Sequence, residues 1–209
     1  MIQAFLCVAA LLLFSATTFL GQEARVITTT ISEPASVSLE MLFAQADLVA
    51  FVKVQSGDAE NYEQVLYKAV AVKSYKGLNV ADVIYFTPFT GYAVGNEYLV
   101  FLRKVDKRVG DIVSKESENR VLPYDKTRGF YRIMYEGYSV MPVSFECSFE
   151  APSHQTCDYA IKVNTEQVKL PTRLKAFPAD CEDPDISHVS FVKRKAIETI
   201  LESLRRDNK

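Results

Sequence analysis

Apolar residues recur in short, dense runs through the first half of the chain, and glycine-containing turns separate the runs. The runs occupy residues 48–54, 62–75, 83–86 and 97–102. They alternate apolar and polar positions or stay apolar on both sides, which is typical of strands. The 62–75 run is longer than an ordinary strand, and bending of such a strand lets a small sheet curl. The pattern therefore predicts an antiparallel barrel or curled sheet.

A short helix is predicted at residues 38–46, where apolar residues follow the spacing of one helical face. Ser36 or Ser38 can cap it, because a serine hydroxyl accepts a hydrogen bond from a backbone N–H of the first turn. The preceding segment, 22–37, is polar and rich in threonine, and we interpret it as a tether or an edge strand.

The C-terminal region has the clearest helical pattern. Apolar residues recur on one face of residues 187–206, and charged residues occupy the other face. Asp185 or Ser187 is predicted to cap this helix, and Arg205 and Arg206 suit the negative end of its dipole. We expect its apolar face to pack on the sheet.

A β-hairpin is predicted in the second half of the chain. Residues 130–135 and 138–145 alternate in polarity and flank Glu136–Gly137, a dipeptide that favours a tight turn. Pro142 places the second arm at a sheet edge, because proline cannot donate a backbone hydrogen bond.

The remaining stretches are less regular. Residues 104–126 are dense in charge and predict a surface loop with one short strand at 109–113. Residues 157–163 predict a further strand. Three prolines make 171–185 irregular.

The N-terminal segment predicts export from the cytoplasm. Residues 1–21 contain no charged side chain, and 4–20 form a nearly continuous apolar run, as in a secretory signal. The alternative is an uncleaved membrane anchor, since about 20 apolar residues can span a bilayer. We expect a secreted or periplasmic protein that contacts a membrane only if this segment is retained.

Three cysteines remain once the signal is removed: Cys147, Cys157 and Cys181. Two of them should pair in an oxidising compartment, which leaves one free or intermolecular thiol. Spacing alone permits all three pairings. The Cys147–Cys157 disulfide, which closes a short loop, is our working prediction.

The nearly neutral net charge of the chain argues against nucleic acids as partners. The formal net charge is -2, so the sequence lacks the basic character of a nucleic-acid-binding protein. The apolar fraction of 48% is sufficient for a folded core. We predict no nucleic-acid partner.

Few residues have the spacing of a catalytic or metal site. The densest group of possible ligands is Cys181, Asp183, Asp185 and His188. A second possible zinc set is Cys147, His154 and Cys157. Helix capping and disulfide formation explain these residues without a metal, and Cys181 and His188 are not in a recognised catalytic motif. We predict no cofactor, no metal and no enzymatic activity.

Part of the chain resembles a known family. Ala46-Asp47 at a helix end, Lys76-Gly77 after a long strand, and the pattern from Gly95 to Phe101 (Gly-Asn-Glu-Tyr-Leu-Val-Phe) are similar to motifs of TIMP/netrin-like domains. The resemblance covers about residues 38–104. It implies an OB-like barrel, which we place at 38–113, with a β-hairpin extension and the C-terminal helix at 114–209.

Inhibitory members of that family bind the zinc of a protease through an N-terminal Cys-x-Cys. This chain departs from the pattern, because no cysteine lies between Cys7 and Cys147. We therefore predict an exported, non-catalytic binding module, with a protein as the expected partner. The alternatives are a protease inhibitor related to TIMP-like domains and a thiol- or metal-dependent enzyme.

The loop at residues 87–96 is the predicted contact surface. It joins two core strands, contains two glycines, and carries Phe89, Tyr92 and Asn96, which we select as ligand-binding residues. For the other aromatic residues of the sheet, we favour a role in an aromatic-rich core.

Overall fold

Strands make up most of the structure, a computed structural model that describes residues 36–57, 66–87, 91–111, 125–135, 138–149, 155–178 and 188–207. The elements are β1 (Val37–Ser38), α1 (Leu39–Gln45), β2 (Leu48–Gly57), β3 (Tyr67–Lys76), β4 (Val83–Thr87), β5 (Glu97–Arg108), a 3-10 turn (Val109–Asp111), β6 (Gly129–Ile133), β7 (Val140–Phe149), β8 (Gln155–Asn164), β9 (Val168–Lys169), β10 (Ala176–Pro178), β11 (Val189–Lys193) and α2 (Arg194–Asp207). All lie in one unit, Pro34–Lys209. The predicted mainly β chain with a C-terminal helix is confirmed.

Strands β2 to β6 close into a five-stranded barrel. β2 pairs antiparallel with β3 and β5, and β3 continues the sheet to β4. β6 completes the ring because it pairs in parallel with β4 and antiparallel with β5. The architecture agrees with the predicted OB-like barrel. Its last strand, β6, comes from beyond residue 113, in the part of the sequence that predicts an extension.

The alternation of side chains along β2 supplies two cores. Leu48, Ala50 and Val52 point into the barrel, whereas Val49 and Phe51 point into a second core that includes residues of both helices. All five are fully buried. Burial of one large aliphatic side chain stabilises a fold by about 1.5–3 kcal/mol. The apolar residues on both faces of β2 therefore reflect its position as a central strand.

β6 and β7 do not form the predicted hairpin. Both lie along β5, one after the other: Ile133 is opposite Leu102, and Val140 is opposite Val100. Together they follow a single line that is interrupted at residues 134–139. This arrangement is possible because β5, at 12 residues, is long enough to pair with both.

Ser139 organises the interruption between β6 and β7. Its buried hydroxyl accepts from the backbone N–H of Met134 at 3.2 Å and donates to the carbonyl of Tyr135 at 3.1 Å. Its carbonyl accepts from the N–H of Phe101 at 2.8 Å. The chain thus leaves β5 and returns to it within a few residues. The predicted turn, 136–137, lies outside the described residues.

Pro142 marks the point at which β7 changes its pairing partner. Pairing with β5 ends where Pro142 is opposite Tyr98, and pairing with β8 begins where Val143 is opposite Ile161. The prediction of an edge strand is wrong for β7 as a whole, which lies between β5 and β8 in the strand order. Residues 143–149, however, pair only with β8 among the described strands. A residue without an N–H is suited to this crossing.

The C-terminal helix is shorter than predicted. α2 begins at Arg194, and residues 189–193 form β11, which pairs with β8 and β10. The apolar residues of this segment fit a helix or a strand, and the neighbouring strands determine the outcome. Asp185 and Ser187, the predicted caps, lie outside the described residues and several positions before the helix starts.

Three further segments differ from the predictions. β5 continues through Arg108 because Lys104 and Arg108 pair with β6, so the predicted loop begins later. The short strand predicted at 109–113 is wrong, since Val109–Asp111 is a 3-10 turn. Within the stretch predicted as irregular, Ala176–Pro178 pairs with β11.

Both predicted helix ends that the structure describes are confirmed. Ser38 caps α1, since its hydroxyl accepts from the N–H of Met41 at 3.1 Å. Arg205 and Arg206 lie in the last turn of α2. Neither helix in the described part of the chain has the length and apolar character needed to cross a membrane.

Candidate functional site

β7 and β8 continue as a two-stranded ribbon past the strands that flank them. β5 pairs with β7 only at residues 140–142, and β11 pairs with β8 only at residues 160–164. β7 and β8 remain paired with each other as far as Phe149 and Gln155. We call residues 145–149 and 155–159 the ribbon. Within the described chain, its two strands have only each other as sheet partners.

A disulfide joins the two strands of the ribbon. Cys147 and Cys157 are directly opposite in register, with their Cα atoms 3.9 Å apart, and the predicted pairing is confirmed. A hairpin of two strands alone is only marginally stable in water. The disulfide supplies a cross-link where neither of the flanking strands, β5 and β11, pairs with the ribbon.

One face of the ribbon exposes two aromatic side chains. Phe145 is 62% exposed and Tyr159 is 54% exposed, although their rings pack edge to face at a centroid distance of 5.4 Å. The same sheet face is covered by the protein at Val143 and Ile161, two register positions earlier. An apolar surface therefore runs from the second core into solvent. Exposed apolar patches of this kind commonly mark contact sites.

The opposite face of the ribbon carries two acidic residues at one register position, and the Asp158 carboxylate accepts from the N–H of Tyr159 at 2.7 Å. Glu146 and Asp158 are direct cross-strand partners, and Asp158 is exposed. Like charges in such a pair destabilise a sheet. A cationic group of a partner would remove this repulsion.

A signal for these residues is present in the sequence, although apolar periodicity and ligand spacing do not detect it. Phe145-Glu146-Cys147 and Cys157-Asp158-Tyr159 are mirror images in residue type: aromatic, acidic, cysteine, then cysteine, acidic, aromatic. Once the two cysteines are paired across an antiparallel ladder, the register places the acids opposite each other and the aromatic residues opposite each other. The predicted disulfide did not locate the site by itself, because the antiparallel register that gives the pattern its meaning is seen only in the structure.

The structure places Tyr92 in an aromatic cluster at one end of the barrel. Its ring centroid lies 5.1 Å from those of Tyr67 and Tyr98 and 5.7 Å from that of Phe86. Burial raises the pKa of the Tyr67 hydroxyl. The Tyr98 hydroxyl accepts from the N–H of Ala93 at 2.8 Å, which fixes the loop to the barrel. Tyr92 therefore contributes to packing.

A cleft of about 360 Å³ lies beside this cluster, between the 91–92 segment, β7 and β8. Tyr92, Tyr98 and Lys162 are among its lining residues, and Asn96 is not. The backbone carbonyl of Asn96 accepts from Val54 at 3.0 Å, while its side chain is exposed. Phe89 lies outside the described residues. The three predicted ligand-binding residues thus remain a prediction, and of the two that the structure describes, Tyr92 lines the cleft.

The predicted metal and thiol residues fall mostly outside the described chain. These are His154, Cys181, Asp183 and Asp185. The Nδ1 atom of His188 lies 2.7 Å from a carboxylate oxygen of Glu166. No group of three or more possible ligands occurs among the described residues. The Cys147–Cys157 disulfide excludes both sulfurs as zinc thiolates.

Two of the motifs that carry the family resemblance, Ala46-Asp47 and Lys76-Gly77, meet between the end of α1 and the start of β2. The ammonium of Lys76 donates to the carbonyls of Phe43 and Ala44, each at 3.1 Å, and so caps the C-terminal end of α1. Gly77 adopts a φ of 80°, and a Cβ atom there would collide with the carbonyl oxygen of Asp47. These residues have structural roles.

The largest group of ion pairs fixes α2 to the barrel. Arg194 contacts Glu97 and Glu198, and Lys73 contacts Glu198 and Glu202, all at 2.8–2.9 Å. Burial raises the pKa of Glu198, but hydrogen bonds from Arg194 and Lys73 outweigh it and lower the pKa below its usual value. Each acid has a basic partner, so this group serves to dock the helix.

Comparisons with known protein families, with curated proteins and with solved structures found no match to this chain. The similarity of residues 38–104 to TIMP/netrin-like domains therefore stays a prediction. The function has to be inferred from the geometry of the described surfaces, of which the ribbon is the most unusual.

Proposed function

We propose that this protein is an exported, non-catalytic binding module that contacts a protein partner through the ribbon. The observation that carries the proposal is the exposed Phe145–Tyr159 pair beside the Cys147–Cys157 disulfide. Large aromatic side chains provide much of the binding energy of protein interfaces. A cross-linked ribbon also loses little conformational freedom on binding, which favours affinity.

Two features support export. The apolar segment 1–21 resembles a secretory signal. The disulfide is compatible with an oxidising compartment, where such bonds persist. The chemistry of the ribbon favours binding over catalysis, because aromatic rings, paired carboxylates and a closed disulfide provide contact area and charge.

The experiment is a capture from extracellular fluid of the source organism with the immobilised full chain. The test variant is Phe145→Ser/Tyr159→Ser. The matched control is Val72→Ser/Val80→Ser, which removes two exposed apolar side chains outside both the ribbon and the 87–96 loop. A protein retained by the wild type and the control but lost with the test variant would then be purified and titrated.

The expected result is a loss of affinity of about 30-fold or more in the ribbon variant, as for interface residues that contribute at least about 2 kcal/mol. The control should remain within about threefold of the wild type. Equal affinity for the wild type and the ribbon variant would refute the assignment of the contact surface.

The second candidate is a protease inhibitor related to TIMP-like domains. It is favoured by the contacts at Lys76 and Gly77, which give a structural reason for the motifs behind the resemblance. Because the N-terminal Cys-x-Cys is absent, inhibition would have to use another surface. Titration of the full chain against a panel of zinc metalloproteases tests this candidate, and unchanged activity across the panel would count against it.

A further inference from the structure

We infer that the ribbon binds its partner by strand addition: an extended polypeptide with alternating basic and apolar residues pairs with the open edge of β7. The inference rests on the proposed function, because it takes the ribbon as the contact surface. It adds the mode of binding and the chemistry of the partner. Three observations carry it: the unpaired edge of β7, the different side chains on the two faces of the ribbon, and the negative charge of Glu146 and Asp158.

The open edge of β7 is long enough to hold a strand. Residues 143–149 pair with β8 on one side, and no described strand pairs with them on the other. Seven extended residues span about 23 Å. Backbone N–H and C=O groups at such an edge form a template for another strand. The other unpaired edges of this sheet in the described chain are shorter. The open stretch of β8, 155–159, has five residues, and β10 has three and ends in proline, which cannot donate.

The two faces of the ribbon specify the side chains of the added strand. Successive residues of a strand point to opposite faces, so the partner must present one set beside Phe145 and the other beside Glu146. The first face is aromatic and favours aliphatic side chains. The second holds Glu146 opposite Asp158 and favours lysine or arginine. Alternation of apolar and basic residues satisfies both.

Charge also argues against a second copy of the chain as the occupant. If two β7 edges paired with their aromatic faces on the same side, each copy would add its own Glu146 and Asp158 to the shared opposite face. Like charges across neighbouring strands destabilise a sheet. A basic strand from a different protein avoids this repulsion and complements it.

The probe is a fluorescent heptapeptide, acetyl-Thr-Val-Lys-Val-Lys-Val-Thr-amide, titrated against the full disulfide-bonded chain by fluorescence anisotropy at low salt. One control peptide has glutamate in place of lysine. Two further peptides keep the lysines but carry N-methyl groups at one or the other set of alternate residues, so that each lacks the backbone donors along a different edge. Backbone amide shifts of residues 143–149, measured by NMR on the same complex, locate the binding.

We expect the basic peptide to bind at least tenfold more tightly than the acidic one. The peptide whose N-methyl groups block the pairing edge should bind at least tenfold more weakly than the unmethylated peptide. The peptide methylated on the other edge should keep its affinity. In Glu146→Lys/Asp158→Lys the preference should reverse, so that the acidic peptide binds better. This variant changes only side chains on the solvent-facing ribbon, and its melting temperature serves as the control for folding.

Three outcomes would overturn strand addition: no binding of the basic peptide, equal binding of the N-methylated peptides, or no reversal in the lysine variant. The proposed function would survive them if capture of the natural partner still depended on Phe145 and Tyr159. If capture did not depend on these residues, the proposed function itself would fail. The two results are therefore distinguishable.

Discussion

Replacing Gly77 with alanine tests the contact between the end of β3 and the start of β2. Gly77 has a φ of 80°, and a Cβ atom at this position would collide with the carbonyl oxygen of Asp47. Gly95 provides a matched control, because it has a φ of 90° and open space around its Cβ position. Gly95→Ala therefore changes the backbone strain alone, whereas Gly77→Ala adds a steric clash.

The expected loss of unfolding free energy can be worked out from these two terms. A left-handed conformation costs an L-residue about 1–2 kcal/mol, and the lower entropy of the unfolded alanine chain returns about 0.4–1 kcal/mol. Gly95→Ala should thus lose about 1 kcal/mol. Forcing an atom into a filled space costs a further ~1–3 kcal/mol, so Gly77→Ala should lose about 2–4 kcal/mol.

The assay is urea-induced unfolding followed by far-UV circular dichroism and by tyrosine fluorescence, since the chain contains no tryptophan. If the variants are also melted thermally, each loss of 1 kcal/mol should lower the Tm by about 2–4 °C for a domain of this size. Equal losses for the two variants would refute the reasoning, because the backbone of Asp47 would then be free to move away. A larger loss for Gly95→Ala would refute the assigned conformations.

Three further predictions concern the ribbon and the helices. In Cys147→Ser/Cys157→Ser, loss of the cross-link should weaken the ribbon by about 3 kcal/mol. Hydrogen exchange should then show faster exchange of the ribbon amides, while the amides of β2 remain protected. Faster exchange in both places would contradict a local role for the disulfide. Because the folded-state pKa of Glu198 is lowered, its stabilising contribution is present above the unfolded value of 4.5 and is lost as pH falls through the folded pKa. The stability advantage of the wild type over Glu198→Gln should therefore shrink as the pH falls below the unfolded value of 4.5, as urea titrations at each pH can show, and a constant difference would contradict the ion pairing. Ser38→Ala should cost about 1 kcal/mol by the same assay, because the N–H of Met41 loses its partner; an unchanged midpoint would argue against the cap.

Local patterns were sufficient to predict four of the five barrel strands, β2 to β5, and α1. β2 carries apolar residues on both faces because it lies between two cores, and this is visible in the sequence as a nearly continuous apolar run. Ser38 and the helical spacing after it locate α1. In both cases the sequence signal lies within a few residues of the structure that it specifies.

Pairing between distant segments could not be predicted in this way. Glu136–Gly137 has the composition of a hairpin turn, yet β6 and β7 pair with β5 because that strand is long enough for both. The segment 189–193 fits a helix by its spacing, but pairing with β8 makes it a strand. In both cases the local pattern allows two structures, and contacts with residues far away in the sequence select one.

The ribbon combines two departures from the packing and charge rules that the cores and the helix-docking contacts of the chain follow. Apolar side chains fill the barrel and the second core, whereas Phe145 and Tyr159 are exposed side by side. The acids that dock α2 face basic partners, whereas Glu146 faces Asp158. Folded proteins tend to violate packing and charge rules at functional sites, where a partner supplies the missing contact. Both violations occur within two residues of a disulfide that holds the strands in register, and this coincidence is the strongest reason to seek the function of the protein there.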